Sequence, residues 1–234
     1  NLPTPEYKNP LVQAALKTLR FTEGTNLGKN PYDVVFGGSS IPVTKMTVNE
    51  LINTQMTDRL PKRFGGGRAP WPSRSTASGA YQFMPSTLKQ LISMKVLKPS
   101  DIMTPDNQDK AAWELMKFRG VSLNSLKSGG FNRTTQDLLS PEWASVPTLA
   151  GVSAYGQPVK QPAKIEEFFR KSLNPPSVNV PGKSQRKVSF INLPPQIEKV
   201  AMNKPSSPAG TGVPALSAED PNFSYSTSRA FYQG

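Results

Sequence analysis

The chain has 234 residues and a formal net charge of +12, and it contains neither cysteine nor histidine. Disulfides, the usual zinc sites and Ser-His-Asp or Cys-His catalysis are therefore excluded, and acid–base chemistry is left to carboxylates, lysines and tyrosines. We expect no cofactor. The charge favours an anionic partner such as nucleic acid, a membrane surface or a cell wall, unless it serves only solubility. No apolar run approaches the ~18–20 residues of a membrane span.

The first predicted helix begins after Asn9 and ends at Glu23. Asn9 is a favourable N-cap, Pro10 is a favourable first helical residue, and Gly24 is a typical helix stop. Glu23 continues an apolar stripe at helical spacing, formed by Val12, Ala15, Leu16 and Leu19. Burial and the negative end of the helix macrodipole should both raise the pKa of this carboxyl group, as a general acid requires. The alternative is a terminal glutamate that points to water.

The next elements alternate between short apolar runs and turn signals. We predict a strand over 32–38 that enters a Gly-Gly turn, a helix from Thr47 to about 58 opened by a capping box, and a Gly- and Pro-rich loop over 59–77. Further helices are predicted over 85–94, from 104, from 140 and over 162–173. Trp113 and Trp143 are predicted to lie in the core.

The composition changes after Leu173. Residues 174–234 contain nine prolines and few clustered apolar residues. Such a segment cannot bury enough apolar surface to offset its ordering entropy, so alone it should be extended or disordered. We predict a domain over 1–173 and an extended, proline-rich arm over 174–234, whose scattered aromatic residues dock on a partner. The alternative is a free linker.

Four motifs occur in an order that resembles the bacteriophage lambda lysozyme family of phage lytic transglycosylases. They are Glu-Gly-Thr at 23–25, Tyr-Asp-Val at 32–34, Gly-x-Tyr-Gln at 79–82, and Trp-Ala-Ser-x-Pro at 143–147 followed by Tyr-Gly-Gln at 155–157. The resemblance spans residues 11–172. It implies an α+β fold, a mostly helical lysozyme-like domain with a small β region at the lip of a cleft. The family's Asp-His-Pro segment is missing, which bears on the shape of the upper lip.

The resemblance also implies the residues of the site. Glu23 would act first as acid and then as base, while the C6 hydroxyl of the sugar attacks C1 and leaves a 1,6-anhydro product. The implied substrate contacts are Asp33, Ser78, Tyr81, Gln82, Tyr155 and Gln157. The alternative for Asp33 is a carboxylate that supports a turn, and the alternative for 81–83 is a packed connection between strand and helix.

The sequence therefore predicts an enzyme that cleaves the MurNAc–GlcNAc β-1,4 bond of peptidoglycan. The arm suggests attachment to other phage structural proteins in the virion tail, where the enzyme would open the cell wall. One alternative is a structural virion protein that keeps a lysozyme-like domain for docking, and another is a soluble endolysin that passes from host cytoplasm to periplasm. A nucleic-acid-binding protein is disfavoured because the basic residues are scattered and form no recognised motif.

Overall fold

The computed structural model describes residues 3–57 and 75–174 of the chain. The predicted arm, apart from Asn174, lies outside the described residues. So does most of the predicted loop over 59–77.

The described part is mostly helical, with one small antiparallel sheet. The α-helices are α1 (Pro10–Glu23), α2 (Val48–Met56), α3 (Pro85–Ser93), α4 (Pro105–Phe118), α5 (Leu123–Gly129), α6 (Arg133–Leu139) and α7 (Pro162–Leu173). The strands are β1 (Val34–Val35) and β2 (Ser39–Ser40), with Val34 opposite Ser40. Short 3-10 turns occur at Glu6–Lys8, Thr25–Leu27, Pro31–Asp33, Phe36–Gly38 and Val43–Lys45. The predicted α+β class, mostly helical with a small β region, is confirmed.

Helix α1 has the predicted bounds and the predicted caps. The Asn9 side chain accepts a hydrogen bond from the Leu11 amide at 2.9 Å, and Gly24 ends the helix with a φ of 72°. This left-handed conformation is easy for glycine and lets the Gly24 amide bond back to the last turn. The predicted apolar stripe is fully buried, and α1 packs against α4, α5 and α7. The catalytic candidate therefore ends the central helix of the fold.

Two predicted elements are shorter or different in the structure. The strand predicted over 32–38 is reduced to Val34–Val35, because Gly37 and Gly38 adopt positive φ values that a strand cannot continue. The helix predicted from 140 is absent. Ser140 caps the end of α6, and the Trp143 amide bonds to the Leu139 carbonyl, so the segment closes one helix instead of starting another.

The core surrounds α1 and contains both predicted tryptophans. Trp113 is 1 % exposed and Trp143 is 3 % exposed. Helix α7 closes this core with Ile165 and Phe169, and its bounds are the predicted ones. Across residues 3–57 and 75–174, no helix is long and apolar enough to cross a membrane.

Candidate active site

An open cleft of about 760 Å³ lies at the C-terminal end of α1. Its walls come from the end of α1 and the following turn within 22–28, from the β region within 34–38, and from the segments 142–145 and 157–158. Of the residues predicted to form the site, Glu23, Gln82 and Gln157 line this cleft. The fold thus brings together residues from both ends of the described chain.

Glu23 is partly buried in the wall of the cleft, at the last position of α1. Its Oε1 accepts a hydrogen bond from Ser145 Oγ at 2.5 Å. Burial raises the pKa of Glu23 from 4.5 to about 7, while the Ser145 hydrogen bond and the nearby Lys160 ammonium act in the opposite direction. A group with a pKa near 7 is present in both protonation states at neutral pH, so it can give a proton and take one back.

Ser145 reaches Glu23 because Trp143 anchors its segment in the core. The Trp143 indole nitrogen donates a hydrogen bond to the Tyr81 carbonyl at 3.1 Å. The segment therefore lies in the wall of the cleft, where Ser145 contacts Glu23 at the end of α1. Ser145 belongs to the Trp-Ala-Ser-x-Pro motif, but the sequence assigned it no role because its partner is 122 positions away.

Gln82 lines the cleft in an unusual backbone conformation, with a φ of 50°. Its Nε2 donates to the carbonyls of Gly79 at 2.9 Å and Val34 at 3.3 Å, which holds the amide against the β region. A non-glycine residue at positive φ is uncommon and is often found at functional sites. Gln82 thus keeps a polar group at the lip of the cleft.

Gly79 precedes this lip and allows a close approach to α4. Its φ is +81°, and a Cβ at this position would lie 2.5 Å from Gln108 Oε1. The same Gln108 oxygen accepts the Ala80 amide at 2.9 Å. A side chain at position 79 would therefore displace the amide that fixes the lip.

Ser78 and Tyr81 have no exposed surface, so their side chains do not reach the cleft. The Tyr81 hydroxyl donates to Asp109 Oδ1 at 2.5 Å and accepts from Arg20 Nη1 at the same distance. Tyr32 donates to the same Asp109 oxygen at 2.9 Å. This buried network ties α1 to α4 and to the Gly-x-Tyr-Gln segment. These two buried residues therefore lie beneath the site and support it, and they do not make the predicted contact with the sugar.

Asp33 also has structural partners. Its Oδ2 accepts from Asn30 Nδ2 at 2.6 Å, and its Oδ1 accepts from the Thr44 amide at 2.8 Å. These contacts fit the alternative, a carboxylate that supports a turn. Tyr155 donates its hydroxyl proton to the Pro141 carbonyl at 2.6 Å, next to the 142–145 wall. Among the described residues, no group of three acidic side chains could hold a metal ion.

Comparisons with known proteins agree with this architecture. A family model described as Endolysin matches residues 13–174. The bacteriophage lambda lysozyme complexed with a chitohexasaccharide is 23% identical, with a TM-score of 0.50 over 70% of this chain and 94% of that chain. A second structure of lysozyme from bacteriophage lambda is 24% identical over the same shares, with a TM-score of 0.47. None of the curated proteins matches the chain. The chain belongs to the Endolysin family, lysozyme-like enzymes that degrade peptidoglycan.

Proposed function

We propose that the protein is a phage lytic transglycosylase that cleaves the β-1,4 bond between N-acetylmuramic acid and N-acetylglucosamine in peptidoglycan. One observation carries the proposal: the carboxyl group of Glu23 lies in the wall of the cleft with a pKa of about 7. A carboxyl group with this pKa is available as a proton donor at neutral pH, where an ordinary glutamate is ionised.

The reaction needs one carboxyl group that is used twice. Protonated Glu23 donates its proton to the glycosidic oxygen as the bond from that oxygen to C1 breaks. The C6 hydroxyl of the same sugar then attacks C1, and its proton returns to Glu23. The new C6–O–C1 bond leaves a 1,6-anhydro end, and no water is consumed. The attacking hydroxyl is already tethered to the sugar, so the entropy of recruiting a water molecule is saved.

The carboxylates around the cleft support this choice over hydrolysis. Hydrolysis normally uses two carboxyl groups on opposite sides of the bond. Among the described residues that line the cleft, only Glu23 and Glu142 carry such a group. Glu142 is paired with Arg119 at 2.7 Å, and Asp33 is bound within its own turn. Neither arrangement is that of a base holding a water molecule.

Replacing Glu23 by glutamine tests the proposal. Glu23→Gln keeps the shape of the side chain but has no proton to transfer, so turnover of purified peptidoglycan should fall by ~10²–10⁴. Glu167→Gln is the matched control, because Glu167 is an exposed residue of α7. The control should keep full activity. A Glu23→Gln protein that retains more than about a tenth of wild-type turnover would remove Glu23 from the mechanism.

We also propose that the enzyme is carried in the phage tail and bound to other phage proteins through residues 174–234. The composition of this segment supports the proposal, because prolines lower the entropy lost on docking and separated aromatic residues can each fill a pocket. A chain ending at Leu173 should cleave isolated peptidoglycan normally but should be missing from purified particles. Absence of the full-length protein from particles would favour a soluble endolysin instead. Particles that need the protein but tolerate Glu23→Gln would favour the structural alternative.

A further inference from the structure

Lys160 lies two residues before α7 and reaches the end of α1. Its Nζ donates to the Thr22 carbonyl at 3.2 Å and lies 4.9 Å from the centroid of the Phe21 ring. The Phe21 ring also stacks on Phe168 of α7, with ring centroids 4.2 Å apart and planes 4° apart. The packing of α7 on α1 therefore fixes Lys160 beside the residue that precedes Glu23.

The contact to Thr22 satisfies a carbonyl that the helix leaves open. The last four carbonyls of a helix have no partner within it, and they form the negative end of the macrodipole. The Gly24 amide donates hydrogen bonds to the carbonyls of Arg20 and Phe21, and Lys160 donates one to the carbonyl of Thr22. A cation at this position stabilises the negative end of the helix. Its hydrogen bond also fixes the last turn of α1, which contains Glu23.

The other charged groups around Glu23 already have partners. On α1, Arg20 is bonded to Asp109 and two tyrosines. On the 142–145 wall, Glu142 is paired with Arg119. The walls from Gly24 to Gly28 and from Val34 to Gly38 have no titratable side chain among their lining residues. Before α7, the Lys160 ammonium lowers the pKa of Glu23, and burial lowers the pKa of Lys160 itself.

We propose that Lys160 is the positioning residue of the general acid: it caps the helix end that carries Glu23, and its charge stabilises the carboxylate that Glu23 becomes after proton donation. The inference rests on the proposed role of Glu23. It assigns to the segment before α7 a part in the first proton transfer, since the ammonium favours release of the proton to the glycosidic oxygen.

Three substitutions separate the charge of Lys160 from its hydrogen bond. Lys160→Arg keeps both, Lys160→Gln keeps a donor without charge, and Lys160→Met keeps only the apolar stem over Phe21. Lys164→Met on the exposed side of α7 is the matched control. The readouts are the pKa of Glu23 from NMR titration of ¹³C-labelled glutamate, assigned with Glu23→Gln, and the pH profile of kcat and KM on a soluble peptidoglycan fragment.

In Lys160→Gln and Lys160→Met, the pKa of Glu23 should rise by about half a pH unit or more, because an opposite charge is lost. At the pH optimum, kcat should fall by about three- to tenfold with KM nearly unchanged. The alkaline limb of the pH profile of kcat should move to higher pH as the pKa of Glu23 rises. Lys160→Arg and Lys164→Met should match the wild type. A Glu23 pKa that stays unchanged in both neutral variants would overturn the proposal. The NMR titration does not depend on turnover, so an active Glu23→Gln protein would refute the proposed function without hiding this result.

Discussion

Replacing Glu23 by glutamine should stabilise the folded protein at alkaline pH and leave its stability unchanged in acid. Burial raises the pKa of Glu23 from 4.5 to about 7, so the folded state binds this proton more tightly than the unfolded state does. The stabilisation from the bound proton is fully present below 4.5 and is lost as the pH rises through about 7. Above pH 7 the wild type therefore bears the cost of a buried carboxylate, which glutamine avoids.

The size of this cost follows from the shift in pKa. One pH unit corresponds to about 1.4 kcal/mol, so the change from 4.5 to about 7 gives an upper value between about 3 and 4 kcal/mol. Glu23 is partly exposed to the cleft, which reduces the cost to about 2–3 kcal/mol. For a chain of this size, that free energy is a difference of roughly 4–12 °C in Tm.

Urea unfolding of both proteins at pH 4.5 and pH 8.5 measures the effect. The free energies of unfolding should agree at pH 4.5, and Glu23→Gln should be the more stable protein by about 2–3 kcal/mol at pH 8.5. Glu167→Gln is the control, because Lys171 lowers the pKa of Glu167 and gives its pH dependence the opposite sign. A Glu23→Gln protein that is equally stable or less stable at pH 8.5 would refute the reasoning on burial and pKa.

Three further predictions concern the support of the site and its partner. Ser145→Ala removes the hydrogen bond that favours ionised Glu23, so the alkaline limb of kcat/KM should move to higher pH; an unmoved limb would contradict the 2.5 Å contact. Gly79→Ala should lower the free energy of unfolding, measured in urea, by about 2–4 kcal/mol, since the added Cβ would displace the Gln108 amide. An unchanged free energy of unfolding would contradict the close approach at Gly79. Binding to purified sacculi should weaken as salt rises and should exceed binding to duplex DNA, and tighter DNA binding would reverse the partner assignment.

The elements that the sequence predicted well carry their signals locally. Helix α1 has its N-cap, its first proline and its terminal glycine within 9–24, and α7 has a comparable start and apolar stripe. Helices α5 and α6 were not predicted, because each has seven residues and only a short apolar pattern. The helix expected from Ser140 failed because Pro141 is as compatible with a closing turn as with a helix start.

In the site, too, the residues with local sequence signals were predicted and the residues brought in from distant segments were not. Glu23 was predicted as the acid from its helix, because the apolar stripe and the terminal glycine are neighbours in sequence, and it lines the cleft. Ser145 and Lys160 act on the same helix end from 122 and 138 positions away, so no local pattern could reveal them. Tyr81 was expected at the cleft because its motif is there, but its hydroxyl turns inward to Asp109. A motif indicates the segment, and the packing decides which of its side chains faces the substrate.

The mass of the cleavage products tests the central claim most directly. Purified peptidoglycan would be digested in water enriched in ¹⁸O, and the muramic ends would be analysed by mass spectrometry beside a digest by a hydrolytic lysozyme. If Glu23 acts alone and the C6 hydroxyl attacks C1, the ends should be 1,6-anhydro products, one water lighter than hydrolytic ends and free of ¹⁸O. Reducing ends that carry ¹⁸O would show that water attacks C1, and they would contradict a mechanism with a single carboxyl group.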